Sequence, residues 1–180
     1  PFIRLFNEGT FGPPTSENPW ANPEAKHPFN VFNDNNHESS FTKYWLDRAN
    51  EYWLTEFNVD GFRFDLSKGF TQGPDNEGYG EDVGAWSSFD QERVDLLKRM
   101  ADEIWSVDSD AYIVLEHLAA SDEEQELASY RTGEGRPGMM LWNNMNRPYS
   151  QSAMGYISAS DFSSDLSNTY YRNRGLSVPN

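Results

Sequence analysis

Two short apolar runs, each ending on a carboxylate, constrain this chain more than any other feature. Val59-Asp-Gly-Phe-Arg-Phe-Asp65 puts Phe62 and Phe64 on one side and Gly61, Arg63 and Asp65 on the other. Tyr112-Ile-Val-Leu-Glu116 alternates in the same way about fifty residues later, with Tyr112, Val114 and Glu116 on one face. A period of two is that of a strand, and the interval between the runs holds helical periodicity. That order calls for βα units and a parallel sheet. Parallel strands run the same way, so both carboxylates should finish at one rim. The Phe side of the first strand suits a helix layer outside it.

The rest of the chain extends the alternation. Residues 1–39 hold Pro13, Pro14, Pro19, Pro23 and Pro28 among many Asn and read as a long irregular segment. From Ser40, the residues Phe41, Tyr44, Trp45, Ala49, Tyr52 and Trp53 recur at three and four, which predicts a helix with one apolar face ending near Glu56. A strand over Phe57 to Asp65 is expected next. Ser88-Phe-Asp-Gln91 comes after a glycine-rich stretch and has the spacing of a capping box. It predicts a second helix that buries Val94, Leu97, Ala101, Ile104 and Trp105 and breaks at Asp108 to Asp110. Ser121-Asp-Glu-Glu124 predicts a short helix through about Tyr130, Gly138 to Trp142 a third strand, and Gln151 to Tyr156 a weak helix. No internal repeat is present.

An eight-unit barrel takes about 250 residues, and this chain has 180 with about three strands. The expected fold is therefore α/β, a partial (β/α)8 TIM barrel preceded by an irregular inserted segment. Residues 1–39 are expected to be the irregular segment and residues 40–180 the part built of barrel units. Open edges and uncovered apolar faces should leave such a piece unstable or prone to aggregate by itself.

Composition removes several classes of function. The formal net charge is −15, from 29 acidic against 14 basic residues, which opposes phosphate backbones, so no nucleic-acid partner is expected. With no cysteine there is neither a disulfide framework nor a thiolate metal site. No apolar run approaches the roughly 20 residues of a membrane span. Aromatic residues make up 15% of the chain, and their flat faces with polar edges suit stacking on sugars as well as core packing.

Functional groups in a barrel gather at the C-terminal strand ends, which makes Asp65 and Glu116 the catalytic candidates. A pair of neighbouring carboxylates is what glycosidic bond cleavage requires, about 5–5.5 Å apart where configuration is retained. Arg63 lies on the same face as Asp65, in an interior that normally takes apolar side chains, so its charge needs a partner. A guanidinium favours the charged form of a carboxylate beside it, and an apolar setting favours the protonated form. That contrast divides the pair into Asp65 as nucleophile and Glu116 as general acid, then base. A structural ion pair of Arg63 with Asp65 is the alternative reading.

Lys68, just past the first strand, and His117, beside Glu116, are candidate substrate contacts. A solvated lysine and a packed histidine are their structural counterparts. Asp60 opens the strand on the side opposite Asp65 and reads as structural. His27 and His37 lie near Asp34 and Glu38 but match no established metal spacing, so no metal ligand is assigned. Neither a phosphate-binding glycine motif nor a nucleophile elbow occurs.

At these residues the chain resembles a known family. Val59 to Asp65 resembles the fourth-strand motif of the α-amylase family, the retaining α-glucan-active glycosidases and transglycosidases, and Tyr112 to Glu116 is similar to its fifth-strand motif. The resemblance implies hydrolysis of α-glucosidic bonds in starch-like α-glucans by double displacement, with Asp65 as nucleophile, Glu116 as acid/base and Arg63 orienting the nucleophile. It also implies that residues 1–39 end the insertion after the third barrel strand, and that the remaining barrel units are the chain's partner. No cofactor is implied for catalysis. A structural calcium is compatible with the family, but no motif here supports one.

Several departures stand out. Gly69 comes after Lys68 where many amylases have His, at a position associated with sugar and calcium contacts. The wording Phe-Arg-Phe-Asp-Leu also resembles α-1,6-debranching relatives such as pullulanases, and transglycosylating relatives share the motifs. The family's third acid belongs to a His-Asp motif that this chain lacks, so the chain alone is expected to be inactive. A non-catalytic glucan-binding homologue is the rival reading, although such relatives tend to lose the carboxylates. An unrelated metal-dependent barrel would need clustered ligands at strand ends, where only His117 comes close. The substrate class suits a secreted, periplasmic or cell-surface protein, and the sequence itself names no compartment.

Overall fold

The computed structural model describes residues 12–29, 32–142 and 146–156. Among them are helix α1 (Ser40–Phe57), strand β1 (Gly61–Phe64), helices α2 (Val83–Trp86) and α3 (Gln91–Val107), strand β2 (Tyr112–Leu115), helix α4 (Ser121–Ser129), strand β3 (Met139–Leu141) and helix α5 (Asn146–Ala153). The three strands form one parallel sheet in the order β1-β2-β3, with Arg63 beside Val114 and Phe64 beside Leu115. The α/β architecture and the parallel sheet are as the alternation predicts.

One face of this sheet makes the core. Ile113, Leu115, Met139 and Leu141 are fully buried there, with Phe62 and Phe64 packed at the edge of the cluster. Helix α3 supplies the opposing layer. Its buried face includes all five expected residues together with Arg93 and Met100. The Trp105 indole donates to the Ala111 carbonyl at 3.0 Å, tying the end of α3 to the start of β2. Helix α1 joins α3 through a paired Asp47–Arg99 contact, both bonds 3.0 Å. On the other face of the sheet stand Arg63, Val114 and an exposed Tyr112.

Several expected boundaries shift for identifiable reasons. Helix α1 runs through Phe57 because Asn58 adopts the left-handed conformation that closes a helix, so β1 begins only at Gly61. Its aromatic stripe does not make the interior contact: Phe41, Tyr44, Trp45, Tyr52 and Trp53 are exposed, while Thr42, Asn50 and Leu54 are buried. Helix α3 is capped by Asp90, whose side chain accepts from the Arg93 N–H, and not by Ser88. In α4, Ser121 is the first helical residue and not the cap. Helix α5 begins before the predicted Gln151. Gly61 is required where it stands, since its φ is +154° and a Cβ there would lie 2.2 Å from the Tyr112 carbonyl oxygen.

Residues 12–29 and 32–39 are irregular, as the proline content predicts. They hold an antiparallel bridge between Ala21 and Asn35. Asp34 organises them, its Oδ2 accepting from Asn22 Nδ2 at 2.8 Å and from the Lys26 N–H at 3.0 Å. Among the described residues no helix is long and apolar enough to cross a membrane.

Candidate functional site

Parallel register brings the ends of β1 and β2 together, and with them Asp65 and Glu116. Arg63 joins the two. Its Nη1 donates to Asp65 Oδ1, and its Nη2 lies 3.0 Å from Glu116 Oε2. Glu116 Oε2 also accepts the Leu66 N–H at 3.1 Å. Among the described residues Glu116 Oε1 has no partner.

The guanidinium is held from a third strand end as well. It lies 4.0 Å from the centroid of the Trp142 ring, and the backbone N–H of Trp142 is itself anchored on the Leu115 carbonyl at 2.7 Å. Trp142 closes the third predicted strand, so its place at the rim was open to inference from the sequence. The side chains differ in exposure, Asp65 at 77%, Arg63 at 40% and Glu116 at 19%. Arg63 is thus shared between the carboxylates and not reserved for Asp65, and the contrast between them lies in solvent access.

Asp65 opens onto a pocket of about 250 Å³ whose other walls include His27, Asn33, Asp34, His37 and Phe70. Most of this wall comes from the irregular segment. No period marks it in sequence, because these are long-range contacts made by loops.

His27 is stacked on Trp86 with centroids 5.1 Å apart, its Nε2 is 3.3 Å from Asp34 Oδ1, and its Nδ1 is 2.9 Å from the Pro28 carbonyl. Burial works against its protonated form, but the hydrogen bonds to Asp34 and Pro28 outweigh it and raise the His27 pKa. His37 stacks on Phe70 at 3.7 Å, and burial lowers its pKa to about 4. Among the described residues no three His, Asp or Glu side chains converge as a metal site.

Gly69 acquires a reason here. A Cβ at that position would lie 2.7 Å from His27 Nε2, so the imidazole of His27 occupies the space into which a side chain at 69 would grow.

Lys68 and His117 are not brought to the pocket. The Lys68 ammonium is buried, donating to Ser87 Oγ at 3.0 Å and to the Leu118 carbonyl at 3.2 Å, and it sits 4.1 Å over the Trp86 ring. Burial, and then repulsion from Arg93, lowers its pKa. His117 is fully buried between Glu123 and Ser67. Both residues come just after strand ends in sequence. His117 continues the alternation that buries Ile113 and Leu115 and so falls on the core face, while Lys68 lies past Leu66, whose left-handed φ of 45° takes the chain out of the strand.

Below the carboxylates lies an ionic cluster that no sequence motif announces. Arg93 is fully buried and every N–H of its guanidinium is satisfied. Nε donates to Glu123 Oε1 at 2.7 Å, Nη1 to the Lys68 and Trp86 carbonyls, and Nη2 to the Ser88 carbonyl and Glu123 Oε2. Glu123 Oε1 also takes His117 Nε2 at 2.6 Å, and Oε2 the Asp90 N–H at 2.9 Å. Since a carboxylate only accepts, the Nε2 proton belongs to His117. The neutral ring then accepts a hydrogen bond from the Ser67 hydroxyl at Nδ1, over 2.9 Å. Burial favours that neutral form, lowering the His117 pKa. The available signal was its spacing, since Arg93 stands four residues before Leu97 and eight before Ala101, a charged residue on the apolar face of α3.

No protein-family model matches the chain, and no curated protein matches it either.

Proposed function

We propose that this chain carries the nucleophile and the acid/base of a retaining α-glucan glycosidase of the α-amylase type. The observation that carries the reading is the pair of carboxylates at the ends of adjacent parallel strands, bridged by one guanidinium. The sheet supports a partial (β/α)8 barrel as its setting. Its three strands come in sequential order with the core helices on one face, as consecutive units of a barrel do. The face bearing Arg63 is then the barrel interior and the carboxylate end is the catalytic rim.

Exposure supports a division of roles. Asp65, open to the pocket, attacks the anomeric carbon as its carboxylate, while Glu116 gives a proton from Oε1 to the departing glycosidic oxygen. A β-linked glycosyl ester on Asp65 results. Glu116, now ionised, takes a proton from water, which attacks the same carbon, breaks the ester and restores the α configuration. Arg63 holds both carboxylates throughout, and its place against Trp142 fixes the plane of its fork.

The test is the anomer released by the full-length protein from a maltooligosaccharide, monitored by proton NMR at early times. Retained α product is expected, with Asp65→Asn and Glu116→Gln lowering kcat on the order of 10⁴-fold. A β product, or glucan binding without turnover, would overturn the assignment. Debranching activity is read in the same assay with an α-1,6-linked substrate.

A further inference from the structure

The carboxylates are only as well placed as the two loops that carry them, and these loops are tied together below the rim. The Ser67 N–H donates to the Glu116 carbonyl at 2.9 Å, and Lys68 Nζ reaches the Leu118 carbonyl. Ser67 Oγ meets His117 Nδ1, and His117 is held in turn by Glu123. Both loops also contain a leucine in the left-handed region, a conformation that lasts only where its surroundings enforce it. The hydroxyl of Ser67 lies two residues from Asp65, and the ring of His117 is adjacent to Glu116.

Resting on the glycosidase reading, we propose that Ser67 and His117, anchored by Glu123 and Arg93, are positioning residues that set the relation between Asp65 and Glu116. Neither faces the pocket, so their effect passes through backbone. Without the hydroxyl, Nδ1 is left as a buried acceptor with no proton, and the β1 loop keeps only the Lys68 ammonium as a side-chain tie to the backbone of the β2 loop. The Leu66 N–H then presents itself less accurately to Glu116 Oε2. Proton transfer and attack depend on sub-ångström placement, whereas binding of the outer sugar rings does not. The effect therefore belongs to kcat and leaves KM nearly alone.

The experiment compares Ser67→Ala and Ser67→Thr with the wild type in the full-length protein, using two readouts. The first is amide hydrogen exchange at Leu66 and Ser67, whose N–H groups donate to Glu116. It needs no activity. The Ala variant should exchange at least tenfold faster there and unchanged in α3, and Thr, which keeps the hydroxyl, should restore protection. The second is kcat on a maltooligosaccharide, expected to fall about 10- to 100-fold in the Ala variant with KM within about twofold, and to recover in the Thr variant.

Unchanged exchange at Leu66 and Ser67 overturns the proposal, whatever the activity. So does a rise in KM at constant kcat. A wild-type protein inactive on every α-glucan removes the glycosidase reading, while loss of protection at the two amides still establishes the tie between the loops. A Glu123→Gln variant that abolishes the shift of the His117 ring nitrogens toward the Nε2-protonated tautomer, seen by ¹⁵N NMR, supports the direction of the chain. An Nδ1-protonated ring in the wild type contradicts it.

Discussion

Replacing Glu123 by Gln changes one oxygen to an amide nitrogen at the centre of the buried cluster, and its consequence can be worked out atom by atom. Oε1 takes Arg93 Nε and His117 Nε2, and Oε2 takes Arg93 Nη2 and the Asp90 N–H. All four partners are donors. A carboxamide accepts at one end only, so in either orientation its N–H groups confront two donors. Hydrogen bonds involving a charged group are worth about 1.5–3 kcal/mol each, so two lost bonds amount to about 3–6 kcal/mol. Stranding one member of a buried ion pair costs about 3–5 kcal/mol by itself, a figure that overlaps the first.

Acid linkage gives a third estimate of the same quantity. Burial alone would raise the Glu123 pKa, but the hydrogen bonds from His117 and Arg93 reverse this and hold it at about 2, against an ordinary 4.5. At about 1.4 kcal/mol per tenfold change in proton affinity, the difference is about 3 kcal/mol. Because the folded pKa is depressed, this contribution is complete above 4.5 and is lost as the pH falls from there through about 2. Urea unfolding of the full-length protein, monitored by tryptophan fluorescence between about pH 7 and about pH 3, measures both parts. The variant should be about 3–5 kcal/mol less stable at neutral pH and should lose less on acidification. A difference below about 1 kcal/mol, with an unchanged acid limb, would refute the argument that the carboxylate balances Arg93.

Gly69→Ala should destabilise by about 1–3 kcal/mol in thermal unfolding, because His27 is pinned by Trp86, Asp34 and Pro28 and cannot move from the new methyl. Gly133→Ala, with nothing within 4 Å of its Cβ, is the control, and equal effects at the two sites would defeat the packing argument. His37→Phe keeps the stack on Phe70 and removes a titrating group whose pKa is lowered by burial to about 4 from 6.5. The unfolded chain gains that proton first, so the wild type should lose stability as the pH falls from 6.5 to about 4, and the variant should lose less over the same span. Arg63→Lys substitutes a point charge for a fork that meets two carboxylates and lies on Trp142, and kcat should fall about 100-fold with little change in thermal stability. Wild-type turnover in that variant would sink the bridging role.

Local repetition made part of this fold legible in the sequence. Phe62 and Phe64 alternate with Arg63 and Asp65 because a strand has two faces, and the buried positions of α3 reflect helical spacing. The aromatic stripe of α1 shows where the same logic stops. Periodicity identifies an apolar face but not its cover, and Phe41, Tyr44 and Trp45 lie outward in the described chain. Lys68 and His117 fail as pocket residues for a different reason. Lys68 lies beyond the left-handed Leu66, where the strand no longer fixes side-chain direction, and His117 keeps the alternation of Ile113 and Leu115 and so belongs to the core face. Glu123 looks in sequence like part of a helix start, and its pairing with Arg93 spans thirty residues that no local pattern connects.

An ionic cluster is an inefficient way to stabilise two loops, since well-packed apolar residues of equal volume often do so as well or better. Its usefulness must lie in a property that apolar packing does not provide. Leucines in contact can slide by a fraction of an ångström at small expense, because dispersion is undirected. In the Arg93–Glu123 cluster, each of five N–H groups has one acceptor and each carboxylate oxygen has two donors, so a displaced loop strands a buried group. The arrangement defines one register between the ends of β1 and β2. If that reasoning holds, an Arg93→Met, Glu123→Leu double variant should regain stability relative to Glu123→Gln while the amides of Leu66 and Ser67 stay poorly protected. Recovery of both together would mean that packing alone can hold Asp65 against Glu116, and the ionic cluster would then need another explanation.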